Sequence, residues 1–252
     1  MEGWALAVVA AAAFATAILS GIIGMAGGIV LLSVMLLFFD PLVAIPLHGA
    51  VQLVANGSRT WIQRRFVDWS IVGPYALLLL PTGFVGLAVL RALTPDAARA
   101  VIGAFVLVAT WAPGWLLIGA HPERLARTRR FVVLGGVVGT LNTTIGATGP
   151  LIAPFFLDLG LDRRALVGTK AACQTLGHLA KLLVFGFAGF SYGAWALPLA
   201  LLCVAVVGGT WVGSQILGRV SETTFVRLYK GVLTAVALRL VIVDGAAALG
   251  LL

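Results

Sequence analysis

The fold class expected from the sequence is an all-α, polytopic membrane protein made of two inverted-topology repeats. Three observations carry that expectation. Hydrophobic residues make up 61% of the 252 residues and charged residues only 10%, with a mean hydropathy of +1.08; soluble domains carry about 25% charged residues. Residues 3–39, 100–122, 131–157 and 182–218 contain no charge, and each run exceeds the roughly 20 residues a helix needs to cross a hydrocarbon core of about 30 Å. Third, one motif occurs twice. The glycine break Gly24-Met25-Ala26-Gly27-Gly28 precedes the polar stripe His48, Gln52, Asn56, Arg59, and Gly146-Ala147-Thr148-Gly149-Pro150 precedes Lys170, Gln174, His178, Lys181. Without a gap, Gly24 aligns with Gly146, Gly27 with Gly149, Asp40 with Asp162, Gln52 with Gln174, Asn56 with His178 and Arg59 with Lys181.

In order along the chain, the first expected segment covers 4–23 and stops at the break. The N-terminus lacks the basic n-region and short apolar stretch of a cleaved signal peptide, so 4–23 is taken as membrane-embedded. The segment over 28–39 is a dozen or so residues, about 18 Å as helix, too short to cross alone. It either tilts or forms a re-entrant hairpin with 4–23. Asp40-Pro41 is a helix start, Asp as N-cap and Pro in the first turn, and the helix runs over 42–63 to Arg64-Arg65. Segments over 69–90 and 96–118 follow, the latter opened by Thr94-Pro95-Asp96. The second half repeats the order over 131–143, 150–158, 163–187, 191–218 and 222–250, with Asp162 capping as Asp40 does. The chain thus divides into a first transmembrane repeat (1–120), a cytoplasmic Arg-rich linker (121–130) and a second repeat (131–252).

Loop charge orients the halves. The turn after the first short segment has no base while the turn after 42–63 has Arg64 and Arg65; in the second half the bases, Arg163 and Arg164, precede the stripe helix and the turn after it is uncharged. If Lys and Arg mark the cytoplasm, the Arg64, Arg124–Arg130, Arg163 and Arg219 loops are all inside and the halves have opposite topology, as in many secondary transporters. Arg91 and Arg99 fall on the outside and do not fit this scheme. The net charge of +8 is thereby explained by short loops, with no polybasic tail or zinc spacing to suggest nucleic acid. Cys173 and Cys203 lie in apolar segments and are read as packing residues.

A glycine break at membrane depth frees backbone N–H and C=O groups that lipid cannot satisfy, so it must be buried or line a wet cavity. The helix that starts at each break points its positive end into that space, which suits an anion; Asn142, Thr143, Thr144 and Thr148 add neutral donors. Stripe residues spaced four, four and three apart share one helix face, and polar groups inside spans face a partner or a cavity. The expected substrate-binding residues are therefore Gly24, Gly27, Gly28, Gln52, Asn56, Asn142, Thr143, Gly146, Thr148, Gly149, Gln174 and His178. Arg59 and Lys181, expected near the interface, would attract the anion. No Asp or Glu lies well inside an expected span, so a coupled proton would use His178 or His48, or travel on the anion. No cofactor or metal is implied.

The run Gly21-Ile22-Ile23-Gly24-Met25-Ala26-Gly27-Gly28, the Gln52/Asn56 helix and their second-half copies resemble the TauE/SafE sulfite exporter family, also called the toluene-sulfonate uptake permease family. The resemblance covers nearly the whole chain and implies an inner-membrane permease for small anions, typically sulfite or organosulfonates. The second break departs from the family pattern, in which a more glycine-rich run is common. Three other readings stay open. An intramembrane enzyme would need a nucleophile–base pair, yet the histidines are His48, His121 and His178 and no GxSxG or HExxH occurs. An anion channel would share the site, and an accessory subunit would tolerate apolar replacements at Gln52 and Gln174. The anion, direction, coupling ion and oligomeric state are left open.

Overall fold

The computed structural model describes residues 3–23, 27–119, 121–156, 159–216 and 222–252, and among them every regular element is helical. Helices α1 (Gly3–Ile23) and α2 (Gly27–Met35) flank the first break. The nine residues of α2 span only about 14 Å, less than half of a hydrocarbon core of about 30 Å. A turn leads to Asp40, whose carboxylate accepts the Leu42 N–H at 2.8 Å and opens α3 (Pro41–Gln63), as expected.

The expected 69–90 segment is two helices, α4 (Trp69–Ala76) and α5 (Leu79–Ala92), bent by 46°. Pro74 and Pro81 stand either side of the bend, each lacking the N–H that would continue the ladder. Thr94 caps α6 (Pro95–Trp111) through the Ala97 N–H at 3.2 Å. That helix ends short of 118 because Pro113 drives Ala112 out of helical geometry, and the chain turns by 116°. In the second half, α7 (Arg127–Thr144) starts earlier than expected. The expected 150–158 helix is instead the single turn α8 (Gly149–Ile152) followed by a 3-10 turn over Ala153–Phe156, where Pro154 supplies no N–H to the ladder. Asp162 accepts from the Arg164 and Ala165 N–H groups, both at 2.8 Å, and opens α9 (Arg163–Phe187).

Then come α10 (Ala196–Ile216), α11 (Glu222–Arg239), a π-helical turn over Leu240–Asp244, and α12 (Gly245–Ala248). The π turn lies near the end of the last expected segment. Asp244 is buried there, 2.6 Å from Arg239 and 3.8 Å from Arg99. By length and apolar composition Tyr192–Gly213 and Lys230–Ala248 each suffice to cross a membrane, and up to four spans result if the two bent pairs count singly. Helices α3 and α9 have the length, 23 and 25 residues, but their polar stripes lower their hydropathy; they lie against each other in the interior.

The main helix neighbours come from opposite halves of the chain: α1 lies along α10, α7 along α4 and α5, α6 along α11, and α3 along α9. Small residues permit these approaches. A Cβ on Gly135 or Gly139 of α7 would strike the backbone of Tyr75 or Leu79, and one on Gly209 of α10 would strike that of Phe14 in α1, the small-residue contact typical of membrane helices. Two apolar cores result. One joins α1, α2, α6, α10 and α11 with parts of α3 and α5; the other joins α4, α7, α8 and α9. Neither coincides with a sequence half.

Helices α3 and α9 run antiparallel: Gly49 abuts Lys181 and Leu182, Gly57 faces Thr175, and Gly168 meets Gln63. This brings Arg64–Arg65 and Arg163–Arg164 to one end, where the Arg164 guanidinium sits 5.4 Å from the Phe66 ring centre. Arg127 joins them through an ion pair with Asp68. The Ser70 hydroxyl, then Arg127, hold the Asp68 carboxyl below its usual range. At the other end, Arg91 donates to the Ala188 carbonyl at 2.8 Å, and Arg99 to Asp96 at 3.0 Å and the Phe39 carbonyl at 3.3 Å. These two arginines are tied to specific acceptors, which is why they sit apart from the other bases. Arg219 lies outside the described residues. Cys173 is buried, Cys203 partly so, and both are free thiols.

Candidate functional site

The stripes and breaks meet in one cavity at the α3–α9 seam. The four stripe residues of α3, His48, Gln52, Asn56 and Arg59, all line it, because their spacing keeps them on the side facing α9. From α9 come Gln174, Gly177 and His178; from the breaks, Gly27, Gly28, Thr148, Gly149 and Pro150. Thr16 and Ser20 of α1, Tyr75 of α4, Asn142 of α7 and Thr210 of α10 complete the polar wall, and the free space is about 780 Å³ including the open mouth. Gln52 stands midway along α3 and Gln174 beside the middle of α9.

Several of these groups are fixed by the chain. The Gly27 N–H donates to the Ser20 hydroxyl at 3.1 Å, and the His48 Nε2 lies 2.8 Å from the Gly28 carbonyl. A carbonyl only accepts, so Nε2 carries the proton and Nδ1 is left as an acceptor. The Asn56 Nδ2 donates to the Gln52 carbonyl at 3.1 Å, and the Arg59 guanidinium to Asn56 Oδ1 at 3.4 Å. Asn142 Nδ2 donates to the Gly177 carbonyl at 2.9 Å. Gln52 lies over Gly28, its carboxamide carbon 3.1 Å from where a Cβ would stand, so a larger residue there would push the carboxamide aside.

Other polar atoms have no partner. The Tyr75 hydroxyl, Asn142 Oδ1, and the Nδ1 atoms of His48 and His178 are buried without a hydrogen bond. Buried polar groups are nearly always paired, and four orphans around one cavity mark a place where small polar molecules complete the network. The His48 and His178 rings sit edge to face at 6.0 Å. Charge is one-sided. Arg59 lines the cavity, and no Asp or Glu does among the described residues. Behind the wall, Lys181 donates from Nζ to the Gly146 carbonyl at 2.9 Å. Such a pocket attracts anions and repels cations.

The structure brings together Gly27, Gly28, Gln52, Asn56, Asn142, Thr148, Gly149, Gln174, His178 and Arg59. Gly24 lies outside the described residues. Thr143 does not face the cavity: its hydroxyl donates to the Gly83 carbonyl at 2.8 Å and fastens α7 to α5. Gly146, at φ +91°, packs against Leu32 and Ile45 and contributes its carbonyl to Lys181. Lys181, expected near the interface, is instead fully buried, held by that freed carbonyl. The expected pair of helix N-termini is unequal, since α8 is one turn and α2 alone has the length to carry a dipole.

Sequence reasoning missed Tyr75, Thr16, Ser20 and Thr210. Tyr75 was legible as the one phenolic hydroxyl in an otherwise apolar span, and Ser20 aligns with Asn142 at the offset that pairs Gly24 with Gly146. Thr16 and Thr210 gave no signal, since a lone Thr in a span is ordinarily satisfied by its own helix. Among protein families, the model described as sulfite exporter TauE/SafE matches residues 9–240. No curated protein and no solved structure matches.

Proposed function

The chain belongs to the TauE/SafE sulfite exporter family, and on that premise we propose that it is a permease moving a small sulfur-containing anion, sulfite or an organosulfonate, across the bacterial inner membrane. The observation that carries the reading is the cavity itself: halfway along the two stripe-bearing helices α3 and α9, bordered by Arg59, free of carboxylates among the described residues, and ringed by buried polar atoms that lack partners. The Gln52 and Gln174 carboxamides and the Tyr75 hydroxyl donate to the anion's oxygens. Asn56 and Thr148 extend that shell, Gly27, Gly28 and Gly149 let it approach backbone, and Arg59 and Lys181 supply positive potential. The His48 and His178 imidazoles take the proton of a protonated anion, which makes them the coupling groups if transport is proton-linked.

The topology proposed is two inverted repeats, 1–120 and 131–252, joined by a cytoplasmic linker. It is supported by the common end of Arg64, Arg127 and Arg163 and by the exchange of neighbours, α1 on α10 as α7 on α5. Alternating access then moves the two apolar cores against each other across the α3–α9 seam. An anion channel would use the same cavity without that motion.

The test is the thermal stability of the purified protein against sulfite, sulfate, thiosulfate, sulfoacetate, taurine and chloride. A ligand that binds the folded state raises Tm by mass action. A rise with sulfite or a sulfonate, lost in Gln174→Leu, supports the reading. No rise with any anion at millimolar concentration overturns it.

A further inference from the structure

We propose that Arg59 and Lys170 form a second anion site, on the Arg64/Arg163 side of the central cavity, selective for doubly charged oxyanions; the proposal rests on the permease reading and names the substrate charge it favours. Lys170 begins the stripe that continues through Gln174 and His178, one turn at a time on one face of α9. It is only 8% exposed. In the antiparallel register Gly57 faces Thr175 and Gln63 faces Gly168, with the Thr60 and Thr175 hydroxyls 3.0 Å apart. Arg59 and Lys170 therefore occupy one layer of the α3–α9 seam.

Among the described residues neither cation has a carboxylate. Arg59 has a single long bond to Asn56 Oδ1, and Lys170 forms no hydrogen bond or ion pair. The acids nearest in sequence are committed: Asp68 to Arg127 and Ser70, and Asp162 to the N–H groups that open α9. Thr169, next to Lys170, accepts the Asp68 backbone N–H at 2.9 Å, which holds the backbone of that loop to α9 while the Asp68 carboxylate stays with Arg127 and Ser70. A largely buried lysine with no acid partner among the described residues, in one layer with a guanidinium, is costly to a fold. Its counter-charge comes from outside the chain, and two fixed positive charges favour a dianion over a monoanion of the same shape. The site would capture the anion at the mouth and pass it one turn inward to Gln52 and Gln174.

The experiment measures equilibrium binding to the full-length purified protein with two probes of similar tetrahedral shape, sulfate (doubly charged) and methanesulfonate (singly charged). Wild type is expected to prefer sulfate. Lys170→Gln should weaken sulfate binding about tenfold while changing methanesulfonate less than about threefold, and Lys170→Arg should keep the preference. Without anion, Lys170→Gln should melt higher than wild type, because an unpaired buried charge has gone; this also shows that the variant folds. An unchanged sulfate preference in both Lys170→Gln and Arg59→Gln, or no preference in wild type, overturns the site. Lys170-dependent sulfate binding in a protein that moves no anion would leave the site and remove the permease. Transport with an unaltered charge preference in Lys170→Gln would do the reverse.

Discussion

Replacing Gln52 by leucine isolates the chemistry of the cavity from the stability of the fold. The Gln52 side chain makes no hydrogen bond to another described residue; it lies over Gly28 in the cavity wall. Leucine has nearly its volume, so packing against Gly28 persists, and removal of an unpaired amide from a half-buried position should change stability by less than about 1 kcal/mol. The Asn56 bond to the Gln52 backbone carbonyl survives. Binding should respond quite differently. A hydrogen bond to a charged group contributes about 1.5–3 kcal/mol, and 1.4 kcal/mol is about tenfold in affinity, so the loss of one amide donor should raise the Kd for sulfite by about ten- to 150-fold. Calorimetric titration of sulfite, with the melting temperature measured in parallel, reads both quantities. A Gln52→Leu protein that melts as wild type and binds sulfite within about twofold of it would refute the assignment of the cavity as the anion site.

Three further outcomes are expected. Tyr75→Phe removes a buried hydroxyl that has no partner in the protein, so thermal stability should hold or rise by about 1 kcal/mol while sulfite affinity falls several-fold; a loss of stability with unchanged affinity would make Tyr75 structural. Gly135→Ala, whose Cβ would meet the Tyr75 carbonyl, should lower stability by about 1–3 kcal/mol, whereas Gly73→Ala, with open space around it, should be neutral or slightly stabilising in the same melting assay. Single cysteines at Arg65 and Arg163, in a background lacking Cys173 and Cys203, should react with a membrane-impermeant thiol reagent only from the cytoplasmic side; labelling from opposite sides would refute the inverted topology.

Much of this architecture was legible because a membrane restricts what a sequence can do. The helices at Asp40-Pro41 and Asp162 begin where capping chemistry puts them, and the spacing of Gln52, Asn56 and Arg59 brought them to one cavity. What periodicity could not supply was depth and partner. Lys181 looked like a snorkelling cation because its place in α9 says nothing of the Gly146 carbonyl that holds it. Thr143 shares the polarity of Asn142, but a position one residue on in α7 turns it towards the Gly83 carbonyl of α5. The second break was read as a helix start from its likeness to the first; Pro154, which supplies no N–H to the ladder, follows a single turn of α-helix. Asp244 lies near the end of the last expected segment, and its pairing with Arg99 of α6 is a contact between halves that helical periodicity does not show.

The central claim is that this cavity carries a small sulfur oxyanion by alternating access, and counterflow tests it most directly. Proteoliposomes loaded with unlabelled sulfite and diluted into trace labelled sulfite should accumulate label transiently, with saturable kinetics, and Gln174→Leu should abolish the accumulation. Flux that never saturates and shows no counterflow would make the protein a channel. No sulfite or sulfonate movement from folded, correctly inserted protein would contradict the account.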